Sequence, residues 1–208
     1  MSKILSSTLL SFSISAILFA TPSQATFIQN TSGLSGTFTT ETFDTNAGDS
    51  TPAANQFAGL TFGTGDFVSN LFDGVYPNMT GSVIANFTSF EGCGITGICI
   101  TPTFINFSSI MSDVAFAFVT DPGTSTFSAY LGANLVESAT ANTDYGGNFY
   151  GFTGIAFDSI RIDSGGASSA YALDNLQSRA NSIPEPASLT LLGLGFFGLV
   201  ASRRGKRA

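Results

Sequence analysis

Between residues 26 and 181 the chain repeats short apolar runs, each closed by Gly, Pro, Asn or Asp roughly every ten residues. Runs at 38–43, 56–62, 67–72, 82–90, 103–107, 114–119, 126–131, 134–139, 149–155, 159–162 and 171–176 predict strands. Phe127, Ala129 and Leu131 share one face of their run, the signature of a half-buried strand. Residues 114–119 are apolar on both faces, which places that run at the centre of a sheet. Asp121-Pro122-Gly123 supplies the turn between these two. A helical period is almost absent. Many short strands without crossover helices predict an all-β domain, an antiparallel β-sandwich of jelly-roll type. The 21 Phe residues supply its core, at ~1.5–3 kcal/mol for each ring fully buried.

The two ends follow another pattern. Lys3, an apolar stretch over 4–20 and the small-residue exit Ser23-Gln24-Ala25 are the three parts of a secretory signal peptide, with cleavage expected after Ala25. At the other end stands Ile183-Pro184-Glu185-Pro186, then an apolar run over 187–202, then Arg203, Arg204, Lys206 and Arg207. Pro184 and Pro186 exclude a helix before that point, so any helix begins at or after Pro186. Sixteen helical residues span ~24 Å, short of a ~30 Å hydrocarbon core but tolerable with thinning and snorkelling. The four basic residues act as a stop-transfer signal held on the cytoplasmic side, which turns the preceding domain outward. The expected organisation is therefore a signal helix over 1–25, a β-domain over 26–181 and a tail with a transmembrane helix over 182–208. Within the tail, residues 193–198 match G-x-G-x-x-G, but no strand precedes them, and the dinucleotide fingerprint works only between a strand and a helix.

Removing the ends changes the charge balance. Thirteen acidic side chains face only Arg161 and Arg179 in the domain, a net charge of −11. Nucleic acid and anionic lipid both need cationic surface and are excluded as partners of this domain. The chain has no His, which removes a Ser-His-Asp triad and a His-ligated zinc site. Cys93 and Cys99, with five residues between them and with Gly92, Gly94 and Gly97 around them, read in an exported protein as a disulfide closing a short loop. Four N-x-S/T sequons, at Asn30, Asn78, Asn86 and Asn106, are assigned no role, because Ser, Thr and Asn abound.

The tail, with Ile183-Pro184-Glu185-Pro186, the core 191–195 and the basic cluster, resembles the PEP-CTERM sorting signal of bacteria that make extracellular polysaccharide. That resemblance implies a partner, the membrane enzyme exosortase, and export across the inner membrane to the cell surface or matrix. It implies membrane anchoring through the C-terminal helix before processing. Gly151-Phe152-Thr153-Gly154-Ile155, the closing Ala172-Leu173-Asp174-Asn175-Leu176, Phe43-Asp44 and the run 57–62 resemble lectin-like or carbohydrate-binding-module-like sandwiches. In such sandwiches the first and last strands are neighbours and Ca²⁺ often ties them. Asp44, Asp174 and Asn175, with Glu41, are the oxygen donors that this implies, and no cofactor is otherwise required.

The implied ligand is extracellular polysaccharide. The best local candidate is the Gly-rich stretch 144–150, where Asp144, Tyr145, Asn148 and Tyr150 combine carboxylate, amide and aromatic groups; Tyr76 and Tyr130 are further rings that could stack on sugar. A glycoside hydrolase on the same scaffold is the alternative. It needs two facing carboxylates, and only Asp158 and Asp163, flanking one strand, offer themselves. A non-catalytic surface or matrix protein is the expectation. Mass spectrometry of the mature protein from its host should find a C-terminus near Pro184-Glu185-Pro186; an intact Arg207-Ala208 end would contradict processing.

Overall fold

The computed structural model describes residues 25–44, 51–87, 99 and 102–181. The signal segment up to residue 24, the tail over 182–208, Cys93 and the sorting and basic residues lie outside them. The described residues form an all-β unit without a helix, and therefore without a helix long and apolar enough to cross a membrane. Twelve strands belong to one antiparallel network: β1 (Thr26–Asn30), β2 (Thr39–Glu41), β3 (Thr51–Pro52), β4 (Leu60–Phe62), β5 (Phe67–Ser69), β6 (Val83–Ala85), β7 (Thr103–Thr120), β8 (Gly123–Leu131), β9 (Asn134–Thr143), β10 (Phe149–Thr153), β11 (Phe157–Asp163) and β12 (Tyr171–Ala180). The main path runs β3-β5-β6-β12-β7-β11-β8-β9; β2 joins β12, β4 and β10 join β7, and β1 joins β10.

β7 organises this network. Its first part pairs with β4 on one edge and β11 on the other, and its second part pairs with β10 and β12. The sequence pattern divides it into two strands, 103–107 and 114–119, because Ser108, Ser109 and Ile110 are exposed and break the alternation. The structure keeps one strand of 18 residues and accommodates the break as a bulge. Pairing jumps from Phe157↔Met111 to Ser159↔Asn106, so β7 carries extra residues there and bends.

The bend lets the two parts of the network face each other. Phe116, Phe118, Tyr150 and Phe152 from one part and Ile105, Phe127, Phe157 and Ile160 from the other belong to one buried cluster. Phe127 sits at its centre, with ring centroids 5.5 Å from Phe118, 6.1 Å from Phe116 and 5.0 Å from Tyr150. Alternation along β7 puts Ala115, Ala117 and Val119 on the opposite face, in a second cluster with Phe72, Met79, Val83 and Phe149. Residues 114–119 are thus buried on both faces, as their composition predicts. The segment around residues 70–82 covers that second face.

Two details depart from expectation. β1, which the apolar pattern misses, pairs with β10, while the last strand, β12, takes β2 as its neighbour through Glu41↔Leu176. The run 38–43, first in the sequence pattern, is therefore a neighbour of the last strand, as the resemblance implies, and β1 adds a strand beside β10. The run 67–72 ends as a strand at Ser69, and Leu71 and Phe72 begin the covering segment.

Truncating Phe127 leaves a void against Phe27, Phe116, Phe118 and Tyr150. Phe127→Ala should lower unfolding free energy by ~3–5 kcal/mol in a denaturant titration. A loss below ~1 kcal/mol would mean that the two parts do not share this core.

Candidate functional site

At the end of the unit where β7 finishes and β12 begins, three loops converge: 70–82, 144–148 and 164–170. They enclose a cavity of about 210 Å³, whose lining includes Phe72, Tyr76, Phe87, Asp121, Tyr145 and Ser168. Tyr171, also in the lining, is held from below. Its ring stacks on Phe118 at 5.5 Å and its hydroxyl donates to the buried carboxylate of Asp66. Asp66 also accepts from Thr103 Oγ1 and the Gly63 amide, and its burial pushes the carboxyl pKa up.

One wall is a row of rings. Tyr145 stacks on Tyr76 with centroids 5.4 Å apart and planes 12° from parallel. Tyr76 stacks in turn on Phe72 at 5.9 Å, and Phe87 meets Phe72 edge-on at 5.2 Å. Tyr145 stays 43% exposed. Its hydroxyl donates to Asp121 Oδ1, and Asp121 Oδ2 accepts from the Ser168 amide and hydroxyl. These bonds hold the Asp121 carboxyl below the usual range, Ser168 foremost, while the same carboxylate pushes the Tyr145 phenol up to about 12. At neutral pH the rim therefore carries an ionised Asp121 and a protonated Tyr145.

The 144–148 turn is positioned by its own backbone. Asp144 Oδ1 accepts the Gly146 amide at 2.7 Å, closing an Asx turn. Thr120 and Phe118 of β7 donate to the carbonyls of Asp144 and Asn148. Gly147 lies at φ +61° with Pro77 so close that a Cβ would stand 1.8 Å from its carbonyl oxygen. Asn78 Nδ2 donates to Gly147 O at 2.9 Å, which locks the turn onto the 70–82 segment and so sets Tyr145 against Tyr76.

That segment is fastened from its other side by β12. Three residue steps from Asp174 to Gln177 oppose two on β7, a bulge with Asn175 at φ 49°. Asn175 Nδ2 donates to Asn78 O at 2.9 Å. Asp174, 0% exposed, accepts the Thr80 amide at 3.0 Å and the Asn175 amide at 2.6 Å. Burial pushes its pKa up to about 7 against those hydrogen bonds, with the nearby Asp44 charge adding to the rise.

The candidate residues from the sequence thus separate. Tyr145, Asp144 and Asn148 come together on one turn, with Tyr145 in the cavity wall. Tyr150 is 1% exposed and stacks on Phe127 in the core, where no ligand reaches its face. Asp44, Asp174 and Asn175 do converge, but on backbone amides. Asp44 Oδ1 accepts Ser82 N at 2.9 Å, and Asp73 Oδ1 accepts Gly81 N at 2.8 Å. Among the described residues no three acidic, His or Cys side chains are grouped to hold a metal ion, and these side chains act as amide acceptors that fasten the loop. Cys99 is buried and not a free thiol; its amide donates to Ser168 O on the cavity rim, and Cys93 lies outside the described residues. Asp158 accepts the Gly132 amide and Asp163 pairs with Arg161. These two acids stand five strand residues apart, ~17 Å along β11, beyond the ~5–9.5 Å of a glycosidase pair.

Sequence reasoning missed Phe72, Phe87, Asp121 and Ser168. Asp121 is legible only as a turn residue, and Ser168 lies in a Ser/Gly/Ala stretch without any pattern.

Residues 182–204 match the PEP-CTERM protein-sorting motif. The motif, which exosortase recognises, marks the protein for export and sorting to the cell surface. No curated protein and no solved structure matches the chain.

Asp174 gives the site a pH signature. Between its ordinary 3.8 and about 7 the folded state keeps a proton that the unfolded chain releases, so the Asp174 contribution to stability falls as pH rises through that window. The melting temperature of the wild type relative to Asp174→Asn should decline from pH 4 to 7 and level off above it. A difference that is flat with pH would show that Asp174 titrates as an ordinary carboxyl.

Proposed function

We propose that the β-domain is a non-catalytic polysaccharide-binding unit, displayed at the cell surface or in the extracellular matrix by its PEP-CTERM tail. The observation that carries this reading is the rigid ring row Tyr145–Tyr76–Phe72 beside a hydrogen-bonding rim, set where three loops meet. A pyranose presents an apolar face of C–H groups and an edge of hydroxyls. Aromatic rings bind the first, and fixed carboxylate and hydroxyl groups bind the second. The exposed Tyr145 ring is the stacking surface, and the rings behind it hold it in place. Asp121 and Ser168 supply the polar contacts.

The sorting signal supports the location, since an exported surface protein meets polysaccharide there. A signal peptide over 1–25 and a Cys93–Cys99 disulfide belong to the same reading, as features of an exported chain. Binding by this cavity needs no cofactor. It also needs no catalytic pair, and the separation of Asp158 and Asp163 leaves β11 without one.

A glycan array and isothermal titration with the purified exported protein, including its host's polysaccharide, test the reading. Tyr145→Ala should weaken binding about tenfold, in line with the loss of one aromatic stacking contact of ~1–1.5 kcal/mol. Tyr130→Ala, far from the cavity on β8, should leave it unchanged. Release of reducing ends from any bound glycan would replace the non-catalytic reading with a hydrolase. Absence of binding to every glycan would remove it.

A further inference from the structure

The charge around the cavity narrows the ligand further. The domain has two basic side chains, and both are committed at a distance from it: Arg161 to Asp163 at 3.0 Å and Arg179 to Asp113 at 2.9 Å. Neither lines the cavity, whose one charged lining residue among the described residues is Asp121. A uronate or a sulfated sugar would bring a second negative charge beside that carboxylate, with no cation to compensate it, inside a domain of net charge −11.

An ammonium group meets the opposite situation. A carboxylate has about four acceptor sites, and the protein uses three at Asp121: one for the Tyr145 hydroxyl and two for the Ser168 amide and hydroxyl. One acceptor site is left for a ligand, and a charged donor fills it more strongly than a neutral hydroxyl does. Tyr145 adds to this. Its ring face is a region of negative potential that attracts a cation, and it is bonded to the same carboxylate. The hydrogen bonds that fix Asp121 also keep it ionised, so the charge is present throughout the neutral range.

We propose that the cavity selects a sugar residue bearing a free protonated amine, a hexosamine without its N-acetyl group, over neutral sugars, and disfavours uronates. This inference rests on the polysaccharide reading above and goes beyond it by assigning the ligand's charge to Asp121. A de-N-acetylated hexosamine polymer is the class of glycan that fits. A reaction that removes acetyl groups from a polymer of N-acetylhexosamine is the class of step that would supply it.

The test compares oligomers of equal length built from glucosamine, N-acetylglucosamine, glucose and glucuronate, titrated calorimetrically into the purified exported protein. The glucosamine oligomer should bind about fivefold more tightly than the glucose and N-acetylglucosamine oligomers, the worth of one exposed charge pair, and the glucuronate oligomer about fivefold more weakly than they do. Asp121→Asn should abolish that preference, so that the glucosamine and glucose oligomers bind equally, whatever affinity the two lose together. Tyr145→Phe, which keeps the ring and removes the hydroxyl, should retain the preference. In case Asp121→Asn fails to fold, amide chemical shifts of the unsubstituted protein give a second readout, in which methyl glucosaminide should move Ser168 and Gly146 more than methyl glucoside does. A preference that survives in folded Asp121→Asn, or amide shifts spread over the acidic surface, would assign the effect to diffuse charge and overturn the proposal. Equal binding of neutral and amino oligomers, or tight binding of the uronate, would also overturn it while leaving the polysaccharide reading intact. Failure of every oligomer and of the host's glycans would remove both.

Discussion

The rest of the structure depends on β7 being paired on both edges and, over its second part, buried on both faces. Neighbours on its two edges satisfy its amides and carbonyls, and its side chains supply one wall of each of two cores. A strand of 18 residues can serve both parts of the network only if it bends, and the bulge at Ser108–Ile110 provides the bend. The alternation of Phe and Ala from Ala115 to Phe118 then has a direct meaning. Large rings fill the space between facing parts, and small side chains let the 70–82 segment lie close on the other side.

The cavity is a consequence of that second face. Residues 70–82 lack regular pairing, and a covering segment without a ladder needs other partners for its backbone. Asp174, Asn175 and Asp44 supply them from below and Asp73 supplies one from within the segment, while the Asn78 side chain ties it to Gly147 at the side. Acidic side chains that look like metal donors in the sequence are therefore acceptors for amides. The expense falls on Asp174, which is kept in a site where burial opposes its charge. What the arrangement secures is the position of Phe72 and Tyr76, and through them of Tyr145.

Legibility in the sequence followed the range of the interaction. Strands with many apolar residues, such as 149–155 and 171–176, were readable because burial acts on each residue according to its own side chain. β1 was not, since its TFIQN has a weak pattern and is held by pairing with β10. The sequence pattern divides β7 into two strands because local polarity at Ser108 and Ser109 looks like a loop, and only pairing with β4 and β11 keeps it extended. In the site, Tyr145 was legible from its Gly-rich surroundings. Tyr150, five residues on, carried the same chemical signal and proved to be core, because strand alternation in β10 turns it toward Phe127.

The sequence by itself determined the all-β class, the acidic balance, the absence of imidazole chemistry and the sorting tail, which matches its motif over residues 182–204. Each of these is a property of composition or of a contiguous segment, so no folding is needed to express it. Tertiary structure alone decided that Asp121, 24 residues before Tyr145, receives its hydroxyl, and that Ser168, 47 residues beyond Asp121, completes the rim. Such contacts have no sequence period. They exist because β7, β9 and β11 finish, and β10 and β12 begin, at the same side of the sheet, which brings their loops to one place.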